Sequence, residues 1–185
     1  VEVHYYILWG LAVWFLSKRS KSSRQLRGMV FLLSAGAFII SFFSMFIGSL
    51  MASSYSSVYF SSLTNVYPFF LGGILATVVG VRQTSDLVKQ FDRMWDLRQN
   101  LLVFAAGLLV LMLLTFFVKF TYLFAYLFGF LLASLAAVTM IFAARVLHEK
   151  TPEIQEPRII TFLADTSYAV YLFHWPFYII FSQLM

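Results

Sequence analysis

The sequence predicts an all-α, polytopic membrane helical bundle of about six transmembrane helices. Of its 185 residues, 61% are hydrophobic and only 11% are charged, whereas soluble domains are about 45–50% apolar and about 25% charged. The apolar residues form long runs, and a helix needs about 20 of them to cross a hydrocarbon core of roughly 30 Å. No strand-like alternation is visible, so the backbone in lipid must be helical. Because the chain starts at Val1 and ends inside an apolar run, we expect a fragment of a larger membrane domain.

We expect residues 1–185 to form a single membrane domain. The predicted spans are Val1–Leu16, Met29–Met51, Leu63–Val81, Leu101–Val118, Phe120–Ala144 and Thr166–Met185. Between the third and fourth spans, residues 84–98 carry apolar side chains at helical spacing, after possible N-caps at Thr84 and Ser85. This pattern predicts an amphipathic cytosolic segment at the membrane surface.

The basic residues predict the orientation. Twelve of the 13 Lys and Arg residues lie in Ser17–Gly28, Arg82–Asn100 and Arg145–Arg158. By the positive-inside rule these connections face the cytosol, which places Val1 and Met185 toward the outside. Orientation in a lipid bilayer, the expected partner, therefore explains the positive net charge. We do not expect the protein to bind nucleic acid.

Small residues predict close helix packing. Ala125, Gly129, Ala133 and Ala137 recur every four residues, so one face of the fifth span is flat enough for a neighbouring backbone. In the third span, Gly72, Gly73 and Ala76 suggest the same, although a glycine can also let a substrate approach the backbone.

Glu2 is the acidic residue expected within the membrane. A helix with its inner boundary at Leu16 places Glu2 about 21 Å higher, below the outer edge of a core of roughly 30 Å. Such a carboxylate should face protein or water, and Tyr5 and Tyr6 share its helix face. The alternative is that Glu2 lies at an interface and favours the helix N-terminus.

His174 is the second candidate within the membrane. If Asp165 and Thr166 cap the last helix, His174 lies about 12 Å into the bilayer. Pro176 removes a helical hydrogen bond beside it and leaves room for a ligand or water. The alternative is a structural histidine bonded to a neighbouring helix. Polar groups continue along this face at Ser167, Tyr171, His174 and Tyr178. The absence of Cys and the scattered positions of the three His predict no metal site.

Three segments resemble the acyltransferase 3 family of membrane proteins. Val1–Tyr6 (V-E-V-H-Y-Y) resembles the end of the family's W-S-L-x-V-E-x-Q-F-Y segment. Tyr67–Ala76 (Y-P-F-F-L-G-G-I-L-A) is similar to its E-L-L-L-G-x-L-L-A helix, and Thr166–Pro176 to its I-S-Y-x-x-Y-L-W-H-W-P segment. The chain looks most like the Gram-positive peptidoglycan O-acetyltransferases. It departs from the pattern at His4, Pro68, Phe69 and Phe173.

The resemblance implies an O-acyltransferase of the bacterial plasma membrane. Acetyl-CoA would be the acyl donor, with no bound cofactor, and an extracytoplasmic carbohydrate such as peptidoglycan the acceptor. Missing N-terminal helices would precede this part and an extracellular SGNH-type domain could follow it, so the fragment alone is expected to be inactive. The implied catalytic residues are Glu2, Tyr6, Tyr171 and His174; the implied substrate-path or positioning residues are Gly72, Ser167, Tyr168 and Trp175.

A second hypothesis comes from another class of protein. In a transporter or channel fragment, the same intramembrane residues would form a proton or solute pathway. Broken helices in two symmetric halves would favour transport, but the sequence shows no inverted repeat.

Overall fold

Helices form every regular element of the described chain. The computed structural model describes residues 2–52, 55–61, 63–80, 85–119, 121–152, 158–167 and 169–170, without the side chains of residues 2–4, 56 and 60. The predicted all-α fold is confirmed. The residues expected to form one domain comprise two compact units, Val1–Lys150 and Thr151–Met185, and each is described by itself.

The first unit contains seven α-helices and a π-helical segment in its described residues. These are α1 (Glu2–Arg19), α2 (Ser23–Met51), α3 (Tyr55–Phe60), α4 (Tyr67–Val79), α5 (Asp86–Met94), α6 (Leu97–Phe117), the π segment (Ala125–Gly129) and α7 (Phe130–Lys150). In the second unit, the described helix covers 158–167.

Three stretches of the described chain are long and apolar enough to cross a membrane. They are α2, α6 and Ala125–Lys150, the last combining the π segment with α7. α4 is apolar but has only 13 residues. These stretches fit a bilayer environment, and the full set of six spans stays a prediction.

The helix ends differ from the expected span ends because polar residues extend or cap the helices. α2 begins at Ser23 rather than Met29, since the Ser22 side chain accepts a hydrogen bond from the Gln25 backbone N–H at 3.2 Å. α7 continues past Ala144 to Lys150, and Arg145 and Glu149 form an ion pair within its last turns. Span ends mark where apolar residues stop, whereas helix ends are set by backbone hydrogen bonds.

The amphipathic segment predicted over residues 84–98 is interrupted. Ser85 is the N-cap of α5, as predicted, and accepts from the Val88 N–H. The helix ends at Met94, however, because Trp95 has an extended backbone with φ −94° and ψ 131°. Asp96 then precedes α6, and its backbone N–H donates to Gln99 Oε1 at 3.0 Å.

The described helix of the second unit covers 158–167 and so already contains Asp165 and Thr166; the prediction that these two residues cap the start of the last helix is wrong. Thr166 Oγ1 instead donates to the Phe162 carbonyl and Ser167 Oγ to the Ala164 carbonyl, both at 2.7 Å. A Ser or Thr hydroxyl can cap a helix start or bond backward within a helix, and here both bond backward. The depth of His174 counted from Thr166 is therefore not supported.

Two groups of buried residues lie at opposite ends of α4. The Tyr67 cluster contains Met45, Val58, Tyr67, Ala125 and Tyr126, and joins α2, α3, α4 and the π segment. The Val88 cluster contains Val79, Val88 and Val146, and joins α4, α5 and α7. α2 also contains the buried serines Ser34, Ser41 and Ser49. Ser41 Oγ donates to the Thr64 carbonyl at 3.2 Å, which ties α2 to the turn before α4.

α6 and α7 approach each other closely at Gly107. A Cβ built there would lie 2.5 Å from Met140 Cγ and 3.2 Å from the Ala136 carbonyl oxygen. At Gly129, within the predicted packing stripe, the nearest atom would be Val118 Cγ1 at an ordinary 3.4 Å. The stripe instead borders a cavity of about 310 Å³, which is lined by Leu111, Leu114, Thr115, Val118, Ala125, Gly129, Phe130 and Ala133.

Candidate functional site

The start of α1 packs against α4 through five aromatic rings. Tyr5 meets Phe70 and Tyr6 meets Phe69, with ring centroids 6.3 and 5.8 Å apart. Trp9 contacts both phenylalanines, at 5.9 and 5.6 Å. All four pairs are edge-to-face, a favourable geometry for aromatic rings. We call Tyr5, Tyr6, Trp9, Phe69 and Phe70 the aromatic junction. It joins the start of α1 to α4, the two helices of the first unit that carry the sequence motifs.

Glu2 belongs to the same register of α1. Positions 2, 5, 6 and 9 follow the i, i+3, i+4, i+7 spacing of one helix face, and the rings at the last three positions contact α4. For residue 2 the structure describes the helical backbone. Both hypotheses for the Glu2 side chain, one facing protein and one at an interface near the helix N-terminus, therefore stay predictions.

Tyr6 lies at the edge of this junction. Its side chain is 55% exposed while its ring packs on Phe69. A tyrosine held by its ring can still present its hydroxyl group to a ligand or to water. The Tyr6 side chain is therefore accessible, and the catalytic role that the resemblance implies for it stays a prediction.

The two glycines of α4 have different environments. A Cβ at Gly73 would lie 2.9 Å from Ser34 Oγ and 3.5 Å from Trp9 Cζ2, whereas a Cβ at Gly72 would meet nothing within 4 Å. Of the two alternatives for these glycines, close packing holds at Gly73 but not at Gly72, which is exposed among the described residues; the approach of a substrate to Gly72 stays a prediction. Gly73 keeps α4 close to α2 and α1. At Gly72, three residues after Phe69, no side chain covers the backbone of α4.

Tyr67 opens α4 and is almost completely buried. It is 1% exposed, and its ring packs edge-to-face against Phe38 and Phe42 at 6.0 and 5.8 Å. Its hydroxyl group has no hydrogen-bond partner among the described residues. The sequence motif contains this tyrosine, but nothing in the motif indicated that the phenol is buried.

Asn100 is a second buried polar side chain that the sequence did not single out. It lies in the first turns of α6, is 1% exposed, and neither its Oδ1 nor its Nδ2 has a partner in the described chain. An unpaired amide in a protein interior typically costs about 1–3 kcal/mol. Its position at the start of an apolar helix was the one available signal.

The candidate residues of the second unit are mostly outside the described residues. Ser167 is exposed on the helix over 158–167, where its hydroxyl group donates to the Ala164 carbonyl. Tyr168, Tyr171, His174 and Trp175 lie outside the description, so their roles stay predictions. Within the described part of the chain, no group of three or more His, Asp or Glu side chains could hold a metal ion.

Comparison with known proteins assigns the family. The family model described as an acyltransferase domain, that of the acyltransferase 3 family, matches residues 1–185. The chain belongs to the acyltransferase 3 family. No curated protein and no solved structure matches it.

Membership of the acyltransferase 3 family agrees with the sequence resemblance and favours a membrane acyltransferase over a transporter or channel. The apolar stretches of the structure fit the bilayer that such a protein needs. Residues 2–6 of the first segment that resembles the family, and all of Tyr67–Ala76, belong to the helices that meet at the aromatic junction.

Proposed function

We propose that this protein is the later part of a membrane O-acetyltransferase. It would take an acetyl group from cytosolic acetyl-CoA and deliver it to a hydroxyl group of an extracytoplasmic carbohydrate such as peptidoglycan. The observation that carries this proposal is the match of the acyltransferase domain over residues 1–185. The aromatic junction supports it, because it joins two helices that bear the family's segments.

The reaction needs groups that handle a proton. An acetyl ester forms when an acceptor oxygen bonds to the acetyl carbonyl carbon and the carbon–sulfur bond of the thioester breaks. The hydroxyl proton leaves the acceptor, and the coenzyme A thiolate gains a proton. A carboxylate or an imidazole can carry this proton. We assign this work to Glu2 and His174.

The tyrosines and small residues would position the acyl group and the acceptor. The half-exposed Tyr6 and the open backbone at Gly72 belong to neighbouring helices of the junction. In our proposal, Tyr171 acts with His174, while Ser167, Tyr168 and Trp175 line the path of the substrate. Placing ionisable groups in the membrane is costly, so a chemical task explains their presence better than stability does.

The test is acetyl transfer by the full-length protein in liposomes. Acetyl-CoA labelled in the acetyl group is supplied on one side, and peptidoglycan fragments are supplied on the other. We expect label to appear in alkali-labile esters of the carbohydrate. Liposomes without protein measure leakage, and a second polysaccharide tests the choice of acceptor. Solute uptake without any ester formation would instead support the transporter hypothesis.

A further inference from the structure

Five cations are concentrated at the connection between α1 and α2. Lys18 and Arg19 end α1, Lys21 lies in the connection, and Arg24 and Arg27 lie in the first turns of α2. All five side chains are exposed. The sequence contains no acidic residue between Glu2 and Asp86, so no carboxylate on either helix after Glu2 neutralises this group. We call these five residues the basic turn.

The backbone of the basic turn is held in place by local hydrogen bonds. The Ser20 N–H donates to the Leu16 carbonyl at 2.9 Å, which completes the end of α1. The Lys21 N–H donates to Gln25 Oε1 at 2.9 Å, and the Gln25 N–H donates to Ser22 Oγ at 3.2 Å. Gln25 thereby bonds two consecutive residues that precede α2, which fixes the start of this helix. The five charges are therefore displayed on an ordered segment.

Two of the cations rest on aromatic rings. Lys18 Nζ lies 4.1 Å from the centre of the Trp14 ring, and Arg19 Cζ lies 4.8 Å from that of Phe15. Both rings are about half exposed, at 55% and 51%. Exposed aromatic residues next to Lys and Arg at the end of an apolar helix are typical of the level of lipid headgroups. The geometry indicates that these cations lie where phosphate groups are concentrated.

We propose that the basic turn binds the phosphate groups of anionic phospholipids. This inference does not depend on the proposed acetyl transfer or on which side of the membrane the turn faces. Each Lys or Arg near an anionic lipid surface adds to the binding free energy through electrostatic attraction to the headgroups. Because the five exposed side chains surround a turn rather than line a cleft, they fit a field of headgroups better than one soluble phosphate compound. Coenzyme A, which also carries phosphate groups, is the competing source of the same chemistry.

The experiment measures binding of phosphatidylglycerol and phosphatidylcholine to the delipidated full-length protein in neutral detergent by native mass spectrometry. The test variant is Arg24→Gln/Arg27→Gln. It removes cations from a helix start, where they oppose the helix dipole, so the fold should be retained. The matched control is Lys89→Gln/Arg93→Gln, which removes two exposed cations from α5, where Asp86 and Asp92 offset the charge.

We expect the wild type to prefer phosphatidylglycerol, and the test variant to bind it about 30-fold more weakly. The control variant should bind it as the wild type does, and about 1 M salt should abolish the preference of the wild type. If the test variant is unstable, the effect of salt on the lipid preference of the wild type tests the proposal instead. Equal binding of both lipids by the wild type would overturn the proposal. So would an equal loss in both variants, or loss of coenzyme A binding while phosphatidylglycerol binding persists.

Discussion

Gly107 of α6 lies so close to Met140 of α7 that a Cβ at position 107 would be 2.5 Å from Met140 Cγ. The carbonyl oxygen of Ala136, on the same helix, would lie 3.2 Å away, and a backbone atom cannot move aside as a side chain can. In lipid, helices are held together by such close packing rather than by the hydrophobic effect. This contact is the closest approach of α6 and α7 that a glycine marks in the described residues.

Replacing Gly107 with Leu should separate α6 from α7. We expect a loss of about 1–3 kcal/mol, as for overpacked cores, seen as a lower thermal midpoint in detergent. Gly36→Leu on α2 is the matched control, because a Cβ there meets nothing within 4 Å. Equal midpoints for the two variants would show that α6 and α7 do not pack at Gly107.

Replacing Tyr67 with Phe should leave the protein equally stable or make it more stable. The variant keeps the ring contacts with Phe38 and Phe42 and removes a buried hydroxyl group that has no partner among the described residues. The relief should not exceed the cost of an unpaired buried group, about 1–3 kcal/mol. Thermal unfolding is the measurement, with Tyr122→Phe, at an exposed tyrosine, as the control. A clear loss of stability at position 67 alone would show that the hydroxyl group has a partner.

Lys150 should hold α5 against the end of α7. Its Nζ lies 3.2 Å from Asp92 Oδ1 and also donates to the Asp92 carbonyl. Because both side chains are partly exposed, we expect Lys150→Gln to cost at most about 1 kcal/mol. Faster hydrogen exchange over α5 would reveal this loss. Arg145→Gln breaks a pair within α7 and should leave α5 unchanged; equal exchange in both variants would argue against the Lys150 contact.

Cysteines should report the sidedness of the helices. The chain has no native Cys, so Ser23→Cys and Thr121→Cys can be labelled selectively in the full-length protein. Ser23 is preferable to Ser22, whose side chain caps α2. The positive-inside rule predicts labelling of Thr121→Cys from outside and of Ser23→Cys only after the membrane is permeabilised. The reverse pattern would overturn the predicted orientation.

Local features of the fold could be predicted from the sequence, whereas features that depend on a partner could not. The all-α class followed from composition, and the Ser85 cap followed from its own neighbours in sequence. The backward-bonded Thr166 was misjudged because the same hydroxyl group fits a cap or a helix interior. Gly107 was missed because its role depends on the position of α7 relative to α6. The sequence of α6 alone does not give that position.

In the candidate site, too, local features could be predicted from the sequence and features that depend on a packing partner could not. Helical spacing was sufficient to group Tyr5 and Tyr6, whose rings both contact α4. It could not distinguish Gly72 from Gly73, since the two are adjacent and only the positions of Ser34 and Trp9 separate them. The unpaired Asn100 could not be found because burial of a single polar residue leaves no periodic pattern.

The central claim is that Glu2 and His174 take part in acetyl transfer rather than in folding. Glu2→Gln and His174→Gln keep size and hydrogen bonding but remove the groups that would carry the proton. His4→Gln is the matched control, because it introduces the residue that the family's segment has at this position. The measurement is ester formation from labelled acetyl-CoA by full-length protein in liposomes, at equal protein levels. We expect wild-type thermal midpoints in all three variants, near-complete loss of transfer for Glu2→Gln and His174→Gln, and normal transfer for His4→Gln. Normal transfer by Glu2→Gln and His174→Gln would contradict the account, as would loss of folded protein in parallel with transfer.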